Sequence, residues 1–274
     1  MGKLDISALG GYVDEERELT AALYTDKSVL ERVCKKTENC PQDNFYEFAL
    51  CENPKKESSV KAFNRMFDKL GLSAEQRKVM RLRIRSDSVE LTFKSKSKTE
   101  FPETHDKTGA SDKDELVFPL NDANVQTLTD GKCKNLGEFL QAADQEVFAV
   151  TERTRRDCLD LLKPALGELA QGIKAIHIDP FKPVDEASGP TRFFKIDIEA
   201  ESAEMLDMLV TKRVAIFGKI QKVLKVRGLH IVQDGIPKAS KEEYGKTQFA
   251  AAGKSAEDQW KQKPSEVWKR KKKK

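Results

Sequence analysis

The chain has 274 residues, of which 38% are hydrophobic and 34% are charged, and its formal net charge at pH 7 is +4. This composition is sufficient for one or two domains with small cores and highly charged surfaces. No apolar stretch approaches the roughly 20 residues of a membrane-spanning helix, and residues 1–18 lack the pattern of a secretory signal. Five irregularly spaced cysteines favour a reducing compartment. We therefore expect an intracellular protein that does not bind membranes.

The first segment, residues 1–95, has a pattern that predicts mostly helices. Apolar residues recur near its start at helical spacing, at Leu19, Leu23, Leu30 and Val33. Ser73 followed by Gln76 is a capping-box pattern, which predicts a helix running through Leu82. Residues 88–93 then alternate like a strand. Helices followed by a strand predict a winged-helix-like domain.

The later part of the chain has a clearer order of elements. Residues 96–143 are read as a polar linker or insertion, with a possible strand at 116–118 and a short helix at 136–143. Within residues 144–237, the predicted elements are strands at 146–150, 173–178, 192–198, 223–226 and 229–232, with helices at 154–169 and 202–217. The order βαββαβ is that of a ferredoxin-like domain. The fold class predicted for the whole chain is therefore α+β.

Two short stretches in this domain resemble the strand motifs of the RNA recognition motif family. Residues 147–150, Val-Phe-Ala-Val, resemble the first-strand motif, and residues 192–196, Arg-Phe-Phe-Lys-Ile, resemble the third-strand motif. In that family, aromatic side chains on the open sheet face stack on bases. The resemblance implies that Phe148 and Phe193 bind RNA, with Arg192 beside them. The alternative is a ferredoxin-like domain whose phenylalanines only pack.

The N-terminal segment resembles the La motif, which precedes an RNA recognition motif in La and La-related proteins. The resemblance rests on residues 63–66, Phe-Asn-Arg-Met, and on residues 86–91 after the predicted helix. It implies that Phe63 stacks on a terminal uridine. Ala22 and Leu23 stand where the family has paired tyrosines, with Tyr24 following as a candidate RNA contact. The alternative is an unrelated helical domain in which Phe63 belongs to the core.

The C-terminal residues 238–274 form a basic tail. They hold 12 Lys and Arg against 5 Asp and Glu, a net charge of +7, so the rest of the chain carries −3. The tail ends in six consecutive cations, from which we take Lys269, Arg270 and Lys271 as phosphate contacts. Such a run is also read by nuclear import receptors. We expect the protein in the nucleus.

Signals for catalysis are weak in the sequence. It contains no phosphate-binding or dinucleotide-binding glycine loop and no zinc-protease motif, and its cysteines lack the spacing of a zinc site. We therefore expect no enzyme activity, no catalytic residues, no metal and no cofactor.

The sequence leads to two functional hypotheses. The first is an RNA-binding protein that binds structured non-coding RNA or its 3′ end, as a chaperone or as a ribonucleoprotein subunit with protein partners. The alternative is a structural or assembly protein that uses the ferredoxin-like domain for protein contacts.

Overall fold

A computed structural model describes residues 5–25, 27–50, 58–72, 77, 80–94, 110–181, 192–227, 230–231 and 263–272. The strands are β1 (Tyr12–Thr25), β2 (Gln42–Leu50), β3 (Met80–Ile84), β4 (Val89–Lys94), β5 (Ala110–Pro119), β6 (Val147–Asp157), β7 (Ile173–Phe181), β8 (Arg192–Ala200) and β9 (His230–Ile231). The α-helices are α1 (Lys27–Lys36), α2 (Lys61–Leu70), α3 (Asp122–Leu128), α4 (Leu136–Ala143), α5 (Leu159–Leu166), α6 (Ala203–Leu224) and α7 (Pro264–Lys271).

The strands form one nine-stranded sheet in the order β5-β4-β3-β2-β6-β7-β8-β1-β9. An additional pairing between β5 and β1 closes the first eight strands into a barrel. The long strand β1 makes this closure, because its first half, 12–19, pairs with β5 and its second half, 18–25, pairs with β8. All of these pairings are antiparallel. Closure removes the exposed sheet edges that otherwise invite aggregation.

Two apolar cores lie outside the barrel, between its strands and the surrounding helices. One packs α2, α3 and α4 against β2–β5, and its rings include Phe63 and Phe139, whose centroids are 5.1 Å apart. The other packs α1, α5 and α6 against β1, β7 and β8. Because side chains alternate along a strand, residues between these outward apolar positions point into the barrel.

Several helices begin at side-chain caps that the sequence provides. The side chain of Asn121 accepts a hydrogen bond from the Asn124 amide at 2.9 Å, and Asn135 and Ser202 cap α4 and α6 in the same way. These caps satisfy amide groups that have no partner within the helix. The starts of these three helices are thus specified by their local sequence.

The C-terminal helix α7 docks on the first core. Val267 is 1% exposed, and Trp268 packs on the same cluster. At the start of the helix, the Ser265 hydroxyl donates to a carboxylate oxygen of Asp144 at 2.6 Å. Part of the predicted basic tail is therefore a packed element. None of the helices in the described ranges is long and apolar enough to cross a membrane.

The predicted fold, a winged-helix-like domain followed by a ferredoxin-like domain, is wrong. A ferredoxin-like sheet is a self-contained unit of four strands, whereas β6 here pairs with β2, and β8 pairs with β1. The N-terminal segment supplies four strands, where we predicted several helices and one strand. The expectations of a winged helix, a La motif and an RNA recognition motif are wrong for the same reason.

The misassigned helices have a physical explanation. Leu19 and Leu23 are four residues apart, a spacing that puts two side chains on one face of a helix and also on one face of a strand. Residues 80–84, Met-Arg-Leu-Arg-Ile, alternate strictly and form β3, so the helix predicted to run through Leu82 is absent there. The capping pattern at 73–76 lies outside the described residues. The helices predicted at 136–143 and from Ser202 are present.

Candidate active site in the barrel interior

The interior of the barrel is lined by charged side chains. Strand pairing identifies them, since residues directly opposite each other on antiparallel strands share a face. Leu19 and Ala21 lie in the outer core, so Glu18 and Thr20 face inward, opposite Glu199 and Asp197. The same alternation places these residues inside: Glu18, Glu47, Arg83, Glu115, Arg153, Arg155, His177, Asp179, Lys195, Asp197 and Glu199.

A chain of alternating charges links side chains from five strands. Arg83 on β3 bridges two carboxylates, with Nη2 to Glu115 Oε1 at 3.3 Å and Nε to Glu47 Oε2 at 3.0 Å. Arg153 on β6 continues the chain, with Nη1 at 3.4 Å from Glu47 Oε1 and Nη2 in contact with Asp179 on β7. All five residues are at most 11% exposed at the side chain.

The polar lining continues across β7, β8 and β1. Lys195 contacts Asp197, and Asp197 also accepts a 2.8 Å hydrogen bond from the Thr20 hydroxyl. His177 Nδ1 lies 3.1 Å from Glu199 Oε1. Charged and polar groups from distant parts of the sequence thus meet inside one closed surface.

The buried cations stay charged in this environment. Burial disfavours the charged form of Arg83, but Glu115 and Glu47 outweigh burial and raise its pKa above the ordinary value. In the same way, burial opposes the charge of Lys195, but Asp197 and Glu18 raise its pKa. Arg83 and Lys195 are therefore positively charged at neutral pH despite their burial.

An aromatic ring supports three of the guanidinium groups. The Cζ atoms of Arg153, Arg85 and Arg83 lie 5.2, 5.4 and 5.8 Å from the centroid of Phe45. Arg85 is also held in a bidentate pair with Asp43, with Nε to Oδ1 at 3.1 Å and Nη2 to Oδ2 at 2.9 Å. Cation–π contacts and bidentate pairing restrict the orientation of the arginines.

Two groups in the lining have hydrogen-bonding capacity left. The buried Nε–H of Arg155 and the buried hydroxyl of Thr92 have no hydrogen-bond partner among the described residues. The closest carboxylate oxygen to Arg155 Nε, that of Asp179, is 3.7 Å away. Unsatisfied buried donors cost about 1–3 kcal/mol each. A ligand with acceptor oxygens would satisfy them.

The carboxylates are not grouped as a metal cage. Among the residues that the structure describes, no cluster of three or more His, Cys, Asp or Glu could hold a metal ion. Each carboxylate of the five-strand chain contacts a guanidinium group.

The structure places three of the residues predicted to bind RNA, Tyr24, Arg192 and Phe193, side by side on neighbouring strands, and Phe63 and Phe148 elsewhere. Phe63 is fully buried in the first outer core. Tyr24 and Thr25 on β1 pair with Phe193 and Arg192 on β8, while Phe148 lies on β6; the side chains of Tyr24, Phe148, Arg192 and Phe193 are outside the described part of the chain.

The predicted phosphate contacts lie on the last helix. Lys269 and Arg270 are exposed on α7, and Lys271 Nζ lies 5.4 Å from the ring centroid of Tyr46. They are on the outside of the barrel, away from the charged lining.

The charged lining itself was missed at the sequence level. Its signal is present in β3 and in residues 194–199, Phe-Lys-Ile-Asp-Ile-Glu, where apolar and charged residues alternate. Alternation of this kind is typical of a strand with one face in solvent. Only closure of the sheet turns the charged face into an interior.

No family model matches this chain, and no curated protein matches it. Several solved structures are similar to it, among them the following two. A structure of the PH1819 protein from Pyrococcus horikoshii OT3 has 14% identity, covers 80% of this chain and 94% of its own, and has a TM-score of 0.40. The protein HpAC1 from Hippeastrum, described as a candidate adenylyl cyclase with a dominant triphosphatase activity, has 10% identity, covers 88% and 97%, and has a TM-score of 0.43.

The expectation of no enzyme activity is corrected by the geometry of the barrel interior. It rested on missing local motifs, but the barrel brings buried charged groups together from strands that are far apart in sequence, and a search for local motifs does not find such an arrangement.

Proposed function

We propose that the chain is a hydrolase that binds a substrate with linked phosphate groups inside the barrel and cleaves a phosphoanhydride bond. The observation that carries the proposal is the closed barrel whose interior holds buried Arg, Lys and carboxylate groups in place of an apolar core. An eight-stranded barrel is just wide enough for its side chains or one small ligand. A charged filling is expensive to bury, so we infer that it serves a ligand.

The cations indicate the charge of that ligand. Arg83, Arg153, Arg155 and Lys195 come from three different strands and face one interior. Guanidinium groups match phosphate geometry, and arginine is favoured where planar, bidentate recognition of phosphate is needed. A chain of linked phosphates could contact cations from several strands at once.

The chemistry of this reaction explains why the familiar catalytic motifs are missing. In phosphoryl transfer there is little covalent chemistry for a protein to do, and catalysis is mostly positioning and electrostatic stabilisation. The water oxygen forms a bond to the attacked phosphorus, and the bond from that phosphorus to the bridging oxygen breaks. The leaving phosphate departs with the bridging oxygen. One water proton goes to a carboxylate such as Glu18 or to the departing phosphate.

Magnesium would enter with the substrate. Mg²⁺ is usually held by one or two carboxylates together with substrate phosphates, and seldom by an all-protein cage. The carboxylates of the lining suit this limited role. Triphosphate hydrolysis, the activity described for the Hippeastrum protein, is one reaction of the proposed class.

Phosphate release from inorganic tripolyphosphate and from ATP, each with Mg²⁺, tests the proposal. We expect turnover by the wild type and a loss of about 100-fold or more in Arg155→Met, in line with removal of a group that stabilises developing charge. Arg213→Met, on the outer helix α6, is the matched control and should keep the wild-type rate. Tripolyphosphate binding, measured by calorimetry, should weaken in Arg155→Met alone.

Two results would contradict this function. One is folded wild-type protein that releases no phosphate from either substrate. The other is a folded Arg155→Met variant, checked by circular dichroism, that is as active as the wild type.

A second candidate function is RNA binding through the outer surface of α7. It is favoured by the exposed cations Lys269, Arg270 and Lys272, which an ordered helix presents together. Lys269→Glu should weaken binding to a generic single-stranded RNA and flatten the dependence of log K on log salt by about 0.7. Lys163→Glu, at an exposed position on α5, is the control. Equal effects of the two substitutions would argue against a specific role for α7.

Nuclear import through the same cations stays a prediction, and so does binding to ribonucleoprotein partners.

A further inference from the structure

Two cysteines face each other where β2 and β6 meet. In the register of this pair, Gln42 is opposite Arg156. One step further, the Asp157 amide donates to the Pro41 carbonyl at 3.0 Å. The next residue on each segment is a cysteine: Cys40, in a bend before β2, and Cys158, the N-cap of α5. The backbone therefore aligns two thiols that are 118 positions apart in the sequence.

The alignment suits a covalent link. If the β2–β6 ladder is continued past the hydrogen bond between Asp157 and Pro41, Cys40 and Cys158 take a non-hydrogen-bonded position, for which Cα atoms are about 4.5 Å apart. Disulfides need Cα separations of about 4.4–6.8 Å. The Cys40 thiol is also close enough to raise the pKa of Cys158, and both side chains belong to the same apolar cluster.

The two thiols differ in accessibility. Cys158 is fully buried, and Cys40 is half-buried at the edge of the same outer core. Burial, reinforced by the adjacent Cys40, raises the pKa of Cys158 well above the usual value of a thiol. An external reagent would therefore meet Cys40 first, and Cys158 would act only within the pair.

We propose that Cys40 and Cys158 form a reversible disulfide by exchange with a small disulfide such as oxidised glutathione. The Cys40 thiolate attacks one sulfur of that reagent, forms a mixed disulfide and releases one glutathione thiolate. The Cys158 sulfur then attacks Cys40 Sγ, the bond from Cys40 to glutathione breaks, and the leaving glutathione thiolate takes up the Cys158 proton. Two cysteine thiols are oxidised and one glutathione disulfide is reduced to two thiols, so electrons and atoms balance.

The position of the pair gives the link a structural effect. The β6–β7 pairing consists of Arg156 with Ile178 and Asp157 with His177. The amide of Cys158 then donates to the Ile176 carbonyl at 2.8 Å. A disulfide to Cys40 would fix this end of β6 to β2, beside the shortest pairing in the wall of the barrel. Oxidation should therefore stabilise the closed barrel.

Thiol counting with peptide mapping tests the inference on the full chain. The reduced protein has five cysteines, and equilibration with oxidised glutathione should remove two thiols and yield one peptide linking Cys40 to Cys158. A variant in which Cys34, Cys51 and Cys133 are replaced by Ser should lose both remaining thiols while staying monomeric. Its melting temperature should rise by about 5 °C or more on oxidation and return on reduction.

The controls separate this pair from accidental oxidation. Cys40→Ser and Cys158→Ser, each made in the wild type, should abolish the linked peptide and the rise in melting temperature, while Cys34→Ser should leave both unchanged. The inference is overturned if Cys40 stays reduced, if it is found linked to another cysteine, or if oxidation produces only intermolecular dimers. Mapping of the wild type gives the answer even if the triple variant does not fold.

Discussion

Replacing Arg153 with Met would test whether the charges inside the barrel act as one connected network. The Arg153 side chain is 1% exposed and joins Glu47 on β2 to Asp179 on β7. Met has a similar length and no charge, so the variant mainly removes the cation between these two carboxylates. We expect it to unfold at a lower denaturant concentration than the wild type.

The magnitude follows from the burial of the charges. Removing one partner of a buried ion pair typically costs about 3–5 kcal/mol, because a charge is left without compensation in a medium of low polarity. At about 2 °C per kcal/mol for a chain of this size, the melting temperature should fall by about 6–10 °C. Arg270→Met, at an exposed position on α7, should change stability by less than about 0.5 kcal/mol.

The pH dependence separates charge from packing. An uncompensated carboxylate destabilises the fold only while it is ionised, so the deficit of Arg153→Met relative to the wild type should shrink as pH falls and the carboxylates become protonated. Urea unfolding at several pH values measures this change. The double variant Arg153→Met/Asp179→Asn should be more stable than Arg153→Met alone. A deficit that is independent of pH, with no rescue by Asp179→Asn, would refute the network.

Three further outcomes follow from single positions. Burial alone would raise the pKa of Glu199, but the hydrogen bond and charge of His177 lower it below 4.5. The contribution of this carboxylate to stability is therefore complete above that value and lost as pH falls through the folded-state pKa. The stability difference between wild type and Glu199→Gln should accordingly shrink as pH falls below 4.5 in urea unfolding. Gly172 has φ +73°, and an added Cβ would lie 2.6 Å from Met205 Cγ. Gly172→Ala should therefore lower the free energy of unfolding, measured by chemical denaturation, by about 1–3 kcal/mol. Met205→Ala should partly restore it. Val267→Asp should release α7 and speed proteolysis of residues 232–272, with no loss of far-ultraviolet signal from the strands; unchanged cleavage would mean that docking does not depend on this contact.

Several elements in the second half of the chain could be predicted from local sequence, although residues 154–157, predicted as helix, belong to β6, and residues 223–224, predicted as strand, belong to α6. Ser202 begins α6 because its side chain accepts a hydrogen bond from the Met205 amide, and such caps are local signals. Strands β7 and β8 are short runs that are rich in β-branched or aromatic residues. These elements depend on neighbours within a few positions, so local patterns suffice to place them.

The barrel and its site could not be predicted in the same way. Strand pairing joins residues such as Glu18 and Glu199, which are far apart in sequence, and the pairing partner leaves no local mark. The charged positions of β3, Arg81 and Arg83, look like a solvent-facing row until the sheet closes. The resemblance to the La motif added an order of domains that the strand pairing does not have, and Phe63, which it assigned to RNA, lies in an apolar core.

The location of the cores explains how the barrel tolerates its interior. Most barrels of this size fill the inside with side chains that stabilise the fold, whereas here the apolar clusters lie between the outer faces of the strands and the helices. Burial of rings such as Phe93 and Phe217 on the outside supplies the hydrophobic stabilisation. The inward positions are then free to carry Arg153 and Asp179, which would be a net cost in a protein whose only core was inside. One alternating sequence pattern therefore places apolar side chains on the outer faces of the strands and charged side chains on their inner faces.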